Sequence, residues 1–153
     1  MRDEKGLTLI ELIVTILIIS LLLGGIYGIL GGTFKVWLQG SEKMDVQQNA
    51  RIAMNTLEIE IRRADRVNVN SSSTSLNLTI NGQLIRYHLS GTQLLRTVSG
   101  EGNNPVAYNI KQLRFTYYPS VSSCSLVEIY MEFESQGYVY NITSKVNVRS
   151  ANF

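Results

Sequence analysis

Glu11 is the residue of this 153-residue chain whose surroundings pose a chemical question. It ends the stretch Lys5-Gly6-Leu7-Thr8-Leu9-Ile10-Glu11 and is followed by Leu12 to Phe34, a run with no charged side chain. A carboxylate at the centre of a spanning helix costs about 2.5 to 3.5 kcal/mol, and the chemistry it then demands is ion pairing with a named partner. At the headgroup boundary the same group costs little. Position alone leaves both placements open.

The other reactive side chains point to no catalysis. Cys124 is the one cysteine, so no intramolecular disulfide is possible, and a nucleophilic thiol would need a neighbouring base. His88 is the one histidine and lies in an alternating run, where it reads as a strand side chain. No metal-ligand spacing, phosphate-cradling glycine loop or Ser/His/Asp order is present. The expectation is therefore no catalytic residue, no metal and no cofactor.

Formal net charge is +2, which gives no global argument for a polyanionic partner. Arg62, Arg63 and Arg66 cluster at the end of a predicted helix, where cations favour the helix dipole and the last carbonyls. There is no clear nucleic-acid-binding signature.

The elements that position Glu11 follow from periodicity. About 20 apolar residues cross a bilayer, and Leu12 to Phe34 supplies them. Within that run Gly24, Gly25, Gly28, Gly31 and Gly32 mark either a place of bending or a surface for close helix approach, since Gly24/Gly28 and Gly28/Gly32 are small-xxx-small pairs. Helical signal returns at Ser41, with Ser41 or Asp45 as a local cap. Val46, Ala50, Ala53, Leu57, Ile61 and Ala64 then form one apolar stripe, with Ile52 and Ile59 off it. Glu58 and Arg62 are spaced for a helical ion pair.

From Leu76 the period becomes two. Strands are expected at 76–80, 84–89, 93–98, 113–117, 127–133 and 138–148, with turns at Asn81-Gly82 and Gln136-Gly137. The turn-rich tract 68–74 ends the helical region, its Ser71-Ser72-Ser73-Thr74 reading as a linker between helix and sheet, and 100–105 reads as a loop. Six antiparallel strands in one curved sheet, covered by the helix stripe, give an α+β fold. Asn77-Leu78-Thr79 and Asn141-Ile142-Thr143 fit the glycosylation pattern but fall inside expected strands.

The N-terminal pattern resembles the class III signal of type IV prepilins and pseudopilins. The short leader ends at Gly6, and Thr8, Leu9 and Glu11 hold the family's positions. Leu7 stands where that family usually has Phe, and Asp3 and Glu4 offset Arg2 and Lys5, which makes the leader less basic. A secretory signal would instead be cut after its apolar region. Cleavage near Gly24-Gly25 or Gly31-Gly32 would discard the helix and leave Glu11 without a role.

The segment Gln48 to Ala64 also resembles the helix of PilW-like minor pilins and of the J-type pseudopilin of type II secretion. The runs Arg86 to Leu89, Leu94 to Arg96, Leu113 to Tyr118 and Val146 to Arg149 extend this likeness into the sheet half.

The resemblance implies a type IV pilin-like fold, with a long N-terminal helix packed on an antiparallel sheet. Its parts are a leader at 1–6, a transmembrane or filament-core helix half at 7–34, an amphipathic half at 35–66 and a β domain at 67–153. It implies cleavage between Gly6 and Leu7 by a prepilin peptidase, and N-methylation of Leu7. Glu11 becomes a register device that pairs with the new amine of a neighbouring subunit. The implied place is the cytoplasmic membrane, single pass, with the C-terminal domain outside, then a pilus or pseudopilus built with other pilins. A minor subunit active in priming or at the tip is expected, serving a type IV pilus, type II secretion or DNA uptake. The rival reading is a single-span anchored receptor whose β domain binds a ligand, in which Glu11 has no task.

Overall fold

In the computed structural model, which describes residues 8–149, the described residues form one helix followed by eight strands. Helix α1 runs Leu9–Arg63 without interruption. The chain divides into two compact units, one ending at Ser41 and the other beginning at Glu42.

The first unit is helix alone. Its large apolar side chains, from Leu9 at 77% to Tyr27 at 82% exposure and on to Leu38, cover one another hardly at all. The segment is long and apolar enough to cross a membrane. Three of its aliphatic hydroxyls are satisfied within the helix. Thr15, Ser20 and Thr33 donate to the carbonyls of Glu11, Ile16 and Ile29 at 2.6, 2.7 and 2.9 Å, which leaves little polarity for hydrocarbon to meet. The helix passes through Gly24 to Gly32 unbroken, and a Cβ built on Gly24, Gly25, Gly28, Gly31 or Gly32 meets nothing within 4 Å.

The second unit holds the core. Ala50, Ala53, Leu57, Ile61 and Ala64 are fully buried and Val46 nearly so, which is the stripe read from spacing, while Ile52 and Ile59 stay exposed. No cap forms at Ser41 or Asp45, because the helix continues straight through both. Arg62 and Arg63 occupy its last turn, and Arg62 pairs with Glu58 at 3.8 Å. Arg66 lies beyond it, in the first strand.

The strands are β1 Arg66–Val67, β2 Ser75–Ile80, β3 Gln83–Ser90, β4 Gln93–Val98, β5 Asn103–Ala107, β6 Ile110–Tyr118, β7 Leu126–Ser135 and β8 Tyr138–Asn147. All pair antiparallel, but they make two sheets: β1-β2-β3-β4-β5 and β6-β7-β8. The expectation of six strands in a single sheet is corrected on two counts. Alternation shows which face of a strand is apolar and says nothing of which strands pair. Strand β5 was hidden by Pro105, a residue that an end strand tolerates because its missing N–H costs no ladder bond on the open side. The pairing of β4 with β5 shifts register at Leu94/Leu95, opposite Pro105 and Ala107.

Both expected turns form. Asn81 and Gly82 have φ of 50° and 79°, and Gln136 and Gly137 have 47° and 81°, the left-handed pairs that a two-residue hairpin needs.

The helix serves both sheets. Glu60 accepts from Tyr87 Oη at 2.7 Å and Arg96 Nε at 2.9 Å in the first sheet, while Glu58 accepts from Ser144 in the second. Burial pushes the Tyr87 hydroxyl well above the phenol range, and its bond to Glu60 adds to that.

The tract 68–74 is no loose linker. Ser71 Oγ receives the Asn77 amide and donates to its carbonyl, and Asn77 Nδ2 donates to Asn70 O. Tyr117 Oη donates to the carbonyls of Ser72 and Ser75, and Phe115 N–H donates to Ser73 O. The tract therefore clasps β6 to the first sheet.

Candidate functional site

Thr8 and Glu11 close the start of α1 on each other. Thr8 N–H and Oγ1 donate to Glu11 Oε2 at 2.8 and 2.9 Å, and Glu11 N–H donates to Thr8 Oγ1 at 3.4 Å. This reciprocal arrangement is a capping box, which satisfies donors that a helix end leaves orphaned, and the acid also favours the positive end of the helix dipole. Glu11 Oε1 has no donor among the described residues. The result is a carboxylate with one oxygen held and one on offer, at the head of a helix whose apolar surface is uncovered. Ion pairing across to another chain is the chemistry such a group can do.

The sequence reading places Thr8 in the signal motif alone; its capping of Glu11 was also signalled, as Ser/Thr-x-x-Glu ahead of an apolar run. Gly6 and Leu7, the expected cleavage and methylation positions, lie outside the described residues. Gly24, Gly25, Gly28, Gly31 and Gly32 lie on α1 well downstream of Glu11, without intrachain neighbours that would require glycine.

The remaining reactive groups stand apart. Cys124 is half-buried in the loop between β6 and β7, its thiol donates to Leu126 O at 3.4 Å, and burial pushes its pKa up, the opposite of what a thiolate nucleophile needs. His88 sits on β3 with a buried Nδ1 that finds no partner among the described residues. Burial holds its pKa below the ordinary imidazole value, and Arg86 adds to the effect. Among the described residues no three His, Cys, Asp or Glu side chains gather as metal ligands would.

Comparison with known proteins agrees with this arrangement. Residues 1–27 match the prokaryotic N-terminal methylation motif, the prepilin-type signal that ends in the segment carrying Glu11. Residues 38–142 match the competence protein ComGF, a span that covers the second unit's helix and all strands up to the middle of β8. No curated protein matches the chain. The likeness of the helix to PilW-like and J-type subunits is not extended by these matches, which support a competence pseudopilin instead. With a prepilin-type N-terminus, one apolar helix exposed for a membrane and a matching body over more than half its length, the chain belongs to the competence protein ComGF family.

Proposed function

We propose that this chain is a minor pseudopilin of a DNA-uptake pseudopilus. A prepilin peptidase removes residues 1–6 at the cytoplasmic face, and Leu7 becomes the methylated N-terminus. The mature chain waits as a single-pass protein of the cytoplasmic membrane with its β domain outside, then enters the pseudopilus, where it acts in priming or at the tip. Its partners are other pseudopilins, met through the N-terminal helices.

The observation that carries this reading is the half-satisfied Glu11 at the head of an uncovered apolar helix, in a chain that matches both the methylation motif and a competence family. Removal of the leader creates an α-amino group with an ordinary pKa of about 7.7 to 8.0, largely protonated at neutral pH. Glu11 Oε1 gives such an amine on a neighbouring subunit a place to bind. In low dielectric an unpaired charge is costly, so pairing rewards one stacking register over others.

Expression of the full chain with a prepilin peptidase, followed by determination of the mature N-terminus, tests the first step. Methylated Leu7 is the expected result. An intact Met1, or a cut near Gly32, overturns the reading and leaves the anchored receptor.

A further inference from the structure

Whether Glu11 sits in hydrocarbon or at the headgroup boundary depends on the depth at which the spanning helix is held, and the far end of that helix carries groups that fix depth. Phe34 and Trp37 lie one turn apart on α1, both exposed, with ring centroids 6.0 Å apart and planes inclined by 29°. Lys35 stands between them in sequence, exposed and without an ion pair among the described residues. An indole buries its ring and keeps its N–H for water, and a lysine lays its stem on apolar surface and keeps its ammonium among phosphates. Such groups collect at a membrane–water interface.

Length agrees with this placement. Helix α1 is unbroken from Leu9, and at about 1.5 Å per residue the uncharged run Leu12 to Phe34 rises about 35 Å. The hydrocarbon core is about 30 Å thick, and the ordinary tilt of about 20° brings the run to about 33 Å. With Phe34, Lys35 and Trp37 in one headgroup layer, Glu11 therefore reaches the other.

A second register competes with this one. Tyr27 is also exposed and could mark the interface instead, in which case the core extends about 20 residues back from it and takes in Glu11. That register leaves Ile29, Leu30, Phe34 and Trp37 in water and sets a carboxylate in hydrocarbon. The first register leaves the Tyr27 hydroxyl in hydrocarbon, and a neutral hydroxyl costs far less to bury than a charge.

We infer that Phe34, Lys35 and Trp37 form an interfacial anchor in the headgroup layer of the outer leaflet, which holds the helix at a depth where Glu11 lies among the headgroups of the inner leaflet. Lipid phosphate is the partner of Lys35, and the boundary of the acyl chains is the partner of the two rings. Glu11 thus stays wet while the chain waits in the membrane. The inference rests on the single-pass membrane reading.

Trp37 is the one tryptophan of the chain, so its fluorescence reports this position alone. The full chain is placed in vesicles of phosphatidylcholine and phosphatidylglycerol whose acyl chains carry bromine at a shallow or a deep carbon. Shallow bromine is expected to quench Trp37 about twofold more than deep bromine, with little quenching by aqueous iodide. In nanodiscs, where both faces are open, Ile10→Cys in a Cys124→Ser background reacts with a membrane-impermeant maleimide and Ser20→Cys does not. Adding Phe34→Ala and Trp37→Ala lets the helix slide to the Tyr27 register and slows the Ile10→Cys reaction about fivefold.

If the chain floats with the vesicles while iodide quenches Trp37 and bromine does not, or while Ile10→Cys is shielded with both rings in place, the anchor inference fails and the membrane reading stands. Stronger quenching by deep bromine overturns the anchor too. Trp37 shielded from iodide and from both bromines is covered by a second copy, which overturns lipid as the partner. An Ile10→Cys rate indifferent to the loss of both rings overturns their hold on Glu11. A chain left behind by floating vesicles overturns the membrane reading, and the anchor with it.

Discussion

The two ends of helix α1 carry carboxylates of the same kind with opposite solutions. Glu60 lies between helix and sheet, with both oxygens bonded inside the chain: Oε2 receives Tyr87 Oη, and Oε1 receives Arg96 through Nε at 2.9 Å and through its terminal nitrogen at 2.8 Å. Glu11 has one oxygen held by Thr8 and the other without a donor among the described residues. Apolar side chains repeat the contrast, since Leu57 is fully buried and Leu17 is 62% exposed. A helix whose needs are met within its own chain is part of a fold. One whose needs are left open must have them met outside its own chain, as the proposed passage from membrane to pseudopilus would do.

The contrast predicts where substitutions register. Glu11→Leu is expected to have the largest effect, cutting incorporation into pseudopili about 100-fold, the equivalent of some 3 kcal/mol for a broken low-dielectric pair. Membrane insertion and β-domain melting stay unchanged in that variant, as membrane fractionation and thermal denaturation would show. Normal incorporation would erase the difference between the two carboxylates.

Leu57→Ala should lower the stability of the second unit by about 3 kcal/mol, because it leaves a cavity in a closed core. Leu17→Ala should leave that stability unchanged, and denaturant melts of both variants in detergent make the comparison direct. Glu60→Ala follows at about 2 kcal/mol, the cost of stranding Arg96 and the Tyr87 hydroxyl in partly buried surroundings.

His88 gives the smallest effect. Its folded pKa lies below the ordinary 6.5, so the unfolded chain binds the proton more readily. Its contribution is fully present above about pH 6.5 and is lost as pH falls from there through the folded value. Melts of the wild type and His88→Gln across that window should diverge only at the acid end.

Much of this was legible in the chain. The stripe from Val46 to Ala64, the exposed Ile52 and Ile59, the Glu58 to Arg62 pair and both glycine turns depend on residues close in sequence, where spacing is geometry. The division into two sheets was not legible, because the break between β5 and β6 is decided by the path of the chain between them and not by alternation within either. Glu60, Tyr87 and Arg96 likewise lie far apart along the chain, and nothing in their neighbourhoods marks them as partners. Glu11 was legible as an anomaly, whereas its capping by Thr8 was not, because the same Thr-x-x-Glu spacing serves equally as a signal motif and as a helix start.

The serine clasp has a consequence for the order in which this domain comes together. Strands β2 to β5 follow one another as hairpin neighbours and so do β6 to β8, so each sheet can form from short-range contacts. Tyr117 reaches the Ser72 and Ser75 carbonyls across 45 and 42 residues of chain, so its hydroxyl exchanges water for them only once the two sheets are in place. Closure of so long a loop is costly before its contacts reward it. The tyrosine thus acts as a late fastener: its loss would leave two well-formed sheets held to each other by the helix and the Phe115 to Ser73 bond, a looser joint that gives way earlier when the domain is pulled.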